Sequence, residues 1–372
     1  MKGLLYAAGA ALGIMMFSQC SDWTEMENKF EDPYNNKGEA YYQQLRAYKQ
    51  SEHPVMFGWF SGWTGEGANM YNMLRGMPDS MDIVSLWGGS FNLTKAKLED
   101  LREVREVKGT RILYCQHITD IGRSVTPEEV EKDHIVNGQQ YGSREEALAA
   151  YWGWYGQYGD TSAEGVEAAI RKYARVIVDS INKYDYDGFD IDYEPNFGYG
   201  GNISSHAGRM HILLDELSNY LGPKSGTGRI LMVDGEPQTL NSESGPLLDY
   251  YTIQAYYCRG DNDLDNRFEK LINKFAAVTP GETPQEKEAN ILKKTIWCED
   301  FEKHKSDGGP EFTTRDKVKT YSLKGMAMYY RPGIDARIGG AGAYRFDLCR
   351  PVNDYAIIRE VIQTMNPAQA QQ

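Results

Sequence analysis

Cysteine is scarce in this chain: five residues among 372, at positions 20, 115, 258, 298 and 349. So few cannot build a disulfide framework for a fold of this size, and the lack of any CxxC pair gives no sign of a zinc site. Positive charge is also short. Lysine and arginine number 40 against 53 acidic residues, a formal charge of −13, which argues against a basic surface for nucleic acid or an anionic bilayer. No nucleic-acid partner is expected. Pro- or Ser-rich linkers are missing as well. What the chain does have is 41% hydrophobic and 12% aromatic residues, which excludes disorder and leaves one large domain or two ordinary ones, held by burial.

Residues 1–20, MKGLLYAAGAALGIMMFSQC, combine one basic residue, a small and apolar run, and a cysteine. The run is too short to span a membrane comfortably. It reads as a lipoprotein signal over 1–19 with Cys20 as the acylated first residue of the mature chain, although Phe17 stands where a leucine is usual. Removing 1–19 takes away Lys2 alone and moves the charge from −13 to −14. The acidic stretch SDWTEMENKFED that follows resembles an export address used by glycan-foraging Gram-negative bacteria. The expected location is the outer membrane, lipid-anchored and surface-exposed, beside glycan-uptake proteins. Residues 20–52 read as a tether and packing arm with a helix from Lys37 to Lys49, and 367–372 as a tail.

From residue 53 to 366, β-branched and aromatic runs alternate with helical patterns. Eight strands are expected, at 55–60, 82–87, 111–116, 186–192, 229–234, 251–256, 295–300 and 342–347. Residues 94–109 suit a helix with Leu98, Leu101, Val104 and Val107 on one face, and a longer one starts at a Thr161/Glu164 capping box. Eight such units in about 310 residues predict a (β/α)8 TIM barrel with a long third connection, 117–160; a doubly wound sheet is the alternative. That connection leaves the face where barrels build active sites. Its Trp152, Trp154 and Tyr155 either contact substrate or bury one another.

The most informative stretch is YDGFDIDYEPN, residues 186–196. Strand alternation points Asp190, Asp192 and Glu194 one way, spaced about 6.6–7 Å apart, and Phe189, Ile191 and Tyr193 the other. Three acids inside a barrel have no packing rationale, because buried unpaired charge is expensive. Crowding raises at least one pKa, and Glu194, nearest the mouth, is placed to keep a proton and give it to a leaving group. A calcium or magnesium site is the structural alternative, disfavoured because such ions want ligands from a turning backbone.

Asp187, Gly188, Asp190, Asp192 and Glu194 together resemble the DxxDxDxE signature of glycoside hydrolase family 18, on the fourth strand where that family carries it. The resemblance implies retaining, substrate-assisted hydrolysis next to an N-acetylglucosamine. Glu194 would be the acid/base, Asp192 would orient the acetamido group, Asp190 would tune Asp192, and Asp187 would be mainly structural. No metal or cofactor is implied, and His117 and His206 lack metal-ligand spacing. The third and sixth strands depart from the chitinase pattern. Gln254 and Tyr256 resemble the endo-β-N-acetylglucosaminidase branch, where they hold the acetamido group, so N-linked glycans of glycoproteins are the expected substrate. A chitinase and a silent glycan-binding barrel are the alternatives. Trp59, Trp63, Trp87 and Trp297 are candidate sugar-stacking aromatics, and Tyr344 is a candidate floor on the last strand. The loop 196–202 is placed to touch the leaving-group side.

Overall fold

The computed structural model describes residues 37–67, 69–154 and 159–367. Cys20 and the signal segment lie outside the described residues. Eight parallel strands close into a barrel: β1 (Val55–Ser61), β2 (Ile83–Trp87), β3 (Arg111–His117), β4 (Gly188–Tyr193), β5 (Ile230–Gly235), β6 (Tyr250–Gln254), β7 (Thr295–Asp300) and β8 (Gly340–Tyr344). Each pairs with the next, and β8 returns to β1. The expected TIM barrel is the observed one. Phe57, Trp59, Leu113, Cys115, Met232 and Cys298 pack inside it, while Phe189, Ile191 and Tyr193 point outward to the helices. The two-residue period predicted for β4 therefore sorts its acids inward and its apolar residues outward. Cys115, Cys258, Cys298 and Cys349 are buried free thiols.

Helix α1 (Glu39–Gln50) is the arm. Tyr42 and Leu45 bury against the barrel, Arg46 donates to the Val107 carbonyl at 2.7 Å, and Lys49 donates to the Met81 carbonyl at 2.7 Å and Thr110 at 2.8 Å. Those partners sit just before β2 and β3, so α1 is fastened to the N-terminal face. Helix α2 (Lys95–Arg102) continues into a widened turn at Glu103–Val107. Its inner side runs through Asp100, Leu101 and Val104, and Leu98, expected inside, is 44% exposed. Buried Asp100 takes the inward place because it accepts from Trp63 Nε1 at 2.8 Å and from the Leu74 and Arg75 amides at 2.7 and 3.0 Å. Trp63 is thus tied into packing, away from any sugar.

Helix α3 (Arg144–Trp152) belongs to the long third connection. Trp152 packs edge-on against Tyr173 at 5.4 Å and donates to Thr126, and Trp154 lies under the Arg209 guanidinium. Both are buried, which answers the open question for these two tryptophans in favour of packing; Tyr155 lies outside the described residues. Helix α4 (Ala163–Tyr184) starts one residue later than expected. Ser162, not Thr161, is its cap, with the hydroxyl accepting from the Gly165 amide at 3.0 Å. Its stripe of Ile170, Tyr173, Ile177 and Ile181 is fully buried. The last strand ends at Tyr344 rather than at residue 347, because Arg345 turns left-handed at φ 53° and Asp347 folds back to accept from the Ser61 amide at 3.1 Å.

Candidate active site

Four carboxyl groups gather at the C-terminal mouth. Asp190 is fully buried, and its Oδ2 accepts from Ser85 Oγ at 2.6 Å and Trp59 Nε1 at 3.0 Å. One turn of the pleat higher, Asp192 is also buried, with Oδ2 3.7 Å from His117 Nδ1. Glu194 is the first residue past the strand, half-buried at the rim. The fourth acid, Asp234 on β5, stands in register with Asp192 and accepts from Gln254 Nε2 at 2.8 Å. Asp234 carries no role in the sequence reading. Its signal was present: RILMVD is a strand whose inward positions are Ile230, Met232 and a lone acid.

Gly188 and Gly235 let the two strands converge. A Cβ on Gly188 would lie 2.2 Å from the Ile230 carbonyl oxygen, and one on Gly235, at φ 90°, would lie 2.6 Å from the Tyr193 carbonyl oxygen. Asp187 sits outside this group: Arg105 grips its carboxylate through Nε and Nη2 at 2.7 and 2.8 Å, and the Ile112 amide adds a third bond. It fastens β3 and the turn after α2 to β4.

Burial raises all four carboxyl groups. Asp190 is pushed up to about 6, with the Ser85 hydrogen bond opposing. Asp192 is raised well above the usual range by burial, then by the charges of Glu194 and Asp190, and Asp234 by burial, then by Asp190 and Asp192. Glu194 is raised by burial, with the bond from Gln254 holding it back. Depth and like charge thus favour the neutral form across the group, and the proton expected at Glu194 is shared between it and the adjacent Asp192. A group whose folded pKa is raised favours folding fully below its unfolded value near 4 and loses that contribution as pH rises through the folded value. The melting temperature should therefore be higher at pH 5 than at pH 8, by about 2 °C or more on this argument; a calorimetric profile that is flat or rises toward pH 8 would contradict it.

Gln254 ends β6, and Tyr256 lies in the turn that follows rather than on the strand expected, yet its ring still packs on the barrel interior and lies 6.3 Å from Tyr344. Trp87 meets Tyr344 edge-on at 5.5 Å. Trp59 is buried beneath, serving Asp190. The mouth opens into two lobes. One, about 520 Å³, is lined by Glu194, Phe197, Gln254 and Tyr256; the other, about 360 Å³, by Trp87, Tyr114 and His117.

A family model described as glycoside hydrolase family 18, BT1044-like, matches residues 18–364. The chain belongs to glycoside hydrolase family 18. It is 24% identical over 221 residues to endo-β-N-acetylglucosaminidase F2 of Elizabethkingia meningoseptica, an alignment covering 57% of this chain and 53% of that relative. The chain thus spans about half the length of this curated relative. The solved structure of BT1044 superimposes with a TM-score of 0.71 at 29% identity, over 88% of this chain and 93% of that one. An endo-β-N-acetylglucosaminidase from Cordyceps militaris gives 0.54 at 20% identity, over 88% and 96%.

This family 18 barrel therefore brings together Asp190, Asp192, Glu194, Gln254, Tyr256, Trp59, Trp87 and Tyr344. It does not bring Trp297. That side chain is fully buried on the outer face of β7, edge-on to Tyr329 at 5.7 Å, because odd-numbered positions of β7 face the helices. The structure also adds Ser85 and His117. Burial and the nearby Arg123 charge push the His117 imidazole down to about 4, so it is neutral, and the Tyr199 ring covers it at 4.0 Å. The loop expected near the leaving group supplies both Phe197, 72% exposed, and Tyr199.

Proposed function

We propose that this glycoside hydrolase is an endo-β-N-acetylglucosaminidase that cuts the β1,4 bond within the diacetylchitobiose core of N-linked glycans, with retention. The observation that carries the proposal is the placement of Gln254 and Tyr256: Gln254 is bonded to Asp234 beside Glu194, and Tyr256 faces the same acids. Support also comes from the F2 relative, whose name states that activity. A Cordyceps militaris variant was solved with fucosyl-N-acetylglucosamine-Asn, the product such a cut leaves on asparagine.

In the first step the acetamido oxygen of the substrate attacks the anomeric carbon, the glycosidic C–O bond breaks, and Glu194 protonates the departing oxygen. An oxazolinium forms. Asp192 accepts from the acetamide N–H and balances the positive charge that grows there, while Gln254 and Tyr256 fix the acetamide in line with the carbon. Water then opens the ring, with Glu194 as base. Released glycans from a mixed glycoprotein panel, read by mass spectrometry, test the activity; cleavage of chitin oligomers with intact N-glycoproteins would instead make the protein a chitinase.

The location proposed with this activity is the outer membrane, through acylated Cys20. Cys20→Ala should move the protein from the membrane fraction to the soluble one, and unchanged fractionation would overturn the anchor.

A further inference from the structure

The mouth of the barrel gathers four carboxyl groups without an ion-paired lysine or arginine among them. Among the described residues, no lysine or arginine nitrogen lies within ion-pair distance of Asp190, Asp192, Asp234 or Glu194. Buried acids in that position need a hydrogen-bond donor or a cation. For Asp190 and Asp234 the donors are Ser85, Trp59 and Gln254. Asp190 Oδ1 and Asp234 Oδ2 are buried without a partner, but each of those acids accepts through its other oxygen; Asp192 Oδ1 is likewise unpartnered while its Oδ2 meets the His117 ring at 3.7 Å, and His117 Nε2 has no partner either.

We propose that His117, Asp192 and Glu194 form a binding site for a divalent transition-metal ion of the zinc type, and that such an ion blocks catalysis. One ligand atom from each residue lies within 4.8 Å of those from the other two. Ligands around one zinc ion at about 2.0–2.2 Å stand a little closer than this, a gap that small side-chain rotations close. One imidazole with two carboxylates suits zinc or copper rather than calcium or magnesium, which want six or more oxygens. Three protein ligands leave a fourth position for water, which the open lobes on both sides can supply. A deeper trio, Cys115, Asp190 and Asp234, is buried, each of its acids accepts a hydrogen bond through one oxygen, and burial holds its thiol in the neutral form that binds metal poorly, so it is not the site.

The ion and the substrate exclude each other. An ion on Glu194 removes the oxygen that must carry the proton, and one on Asp192 removes the partner of the acetamide. The blocking half of the proposal rests on the roles given above; the binding half does not. Zinc chloride titrated calorimetrically into tag-free protein should show one site per chain, insensitive to excess magnesium. His117→Phe, which keeps a ring against Tyr199, and Glu194→Gln should each weaken it at least about tenfold, since even outer partners of metal ligands are worth that much. In the wild-type enzyme, zinc should suppress glycopeptide cleavage and a chelator should restore it. Unchanged zinc affinity in both variants overturns the site, as does full activity with zinc bound. A protein that releases no N-glycan yet loses zinc binding in both variants would sink the endoglycosidase reading and leave the metal site standing.

Discussion

Glu194→Gln should lower turnover of an N-glycopeptide by roughly three orders of magnitude, the scale of a lost general acid. The substitution keeps the shape and the hydrogen bonding at the rim, where Glu194 is half-buried next to Gln254, so folding is not the cause of the loss. The decisive measurement varies the leaving group. A nitrophenolate departs without help, so an aryl glycoside of the same core should lose far less activity in the variant than the natural substrate does. If both substrates lose activity equally, Glu194 is not the proton donor. If the natural substrate is still cut at the wild-type rate, the proposed mechanism fails.

Asp192→Ala should cost about 10²–10³ in turnover, the range for removing one preorganised partner of a developing charge. Here the leaving group should make no difference, because Asp192 serves the acetamide and not the departing oxygen. The aryl glycoside and the glycopeptide should therefore fall together, the opposite of the pattern for Glu194. Asp192→Ala also removes a buried, unpartnered oxygen from beneath the rim, so the variant should melt no lower than wild type and its loss can be read as chemistry. Full activity in Asp192→Ala would overturn substrate assistance.

The barrel and the acids of β4 were legible because both depend on short-range periodicity. Inward and outward places on a strand follow from counting by two, and Asp190, Asp192 and Phe189 fall where that count puts them. The failures share a different cause. Trp297 was read as a functional aromatic although the same count from Asp300 at the strand end sends it outward. Asp234 went unassigned because its meaning comes from the strand beside it: only the register of β4 against β5 sets it level with Asp192. His117 reaches the acids through a fold contact, and no spacing in the chain announces it. Leu98 shows a third limit, since a helical stripe cannot reveal that a carboxylate such as Asp100 will find three donors and take the inner position.

The attachment of α1 fixes the end of the barrel from which a tether to Cys20 would leave. Its bonds to Met81, Val107 and Thr110 hold residues 39–50 against the end of the barrel opposite the acids. The eighteen steps from Cys20 to Gly38 reach at most about 60 Å when extended. A lipid on Cys20 would thus hold the barrel by its base within a molecular diameter or two of the bilayer, with the mouth at the end away from the tether. Large glycoproteins could then dock without meeting the membrane, and the leash would limit how far the enzyme reaches without dictating how it points.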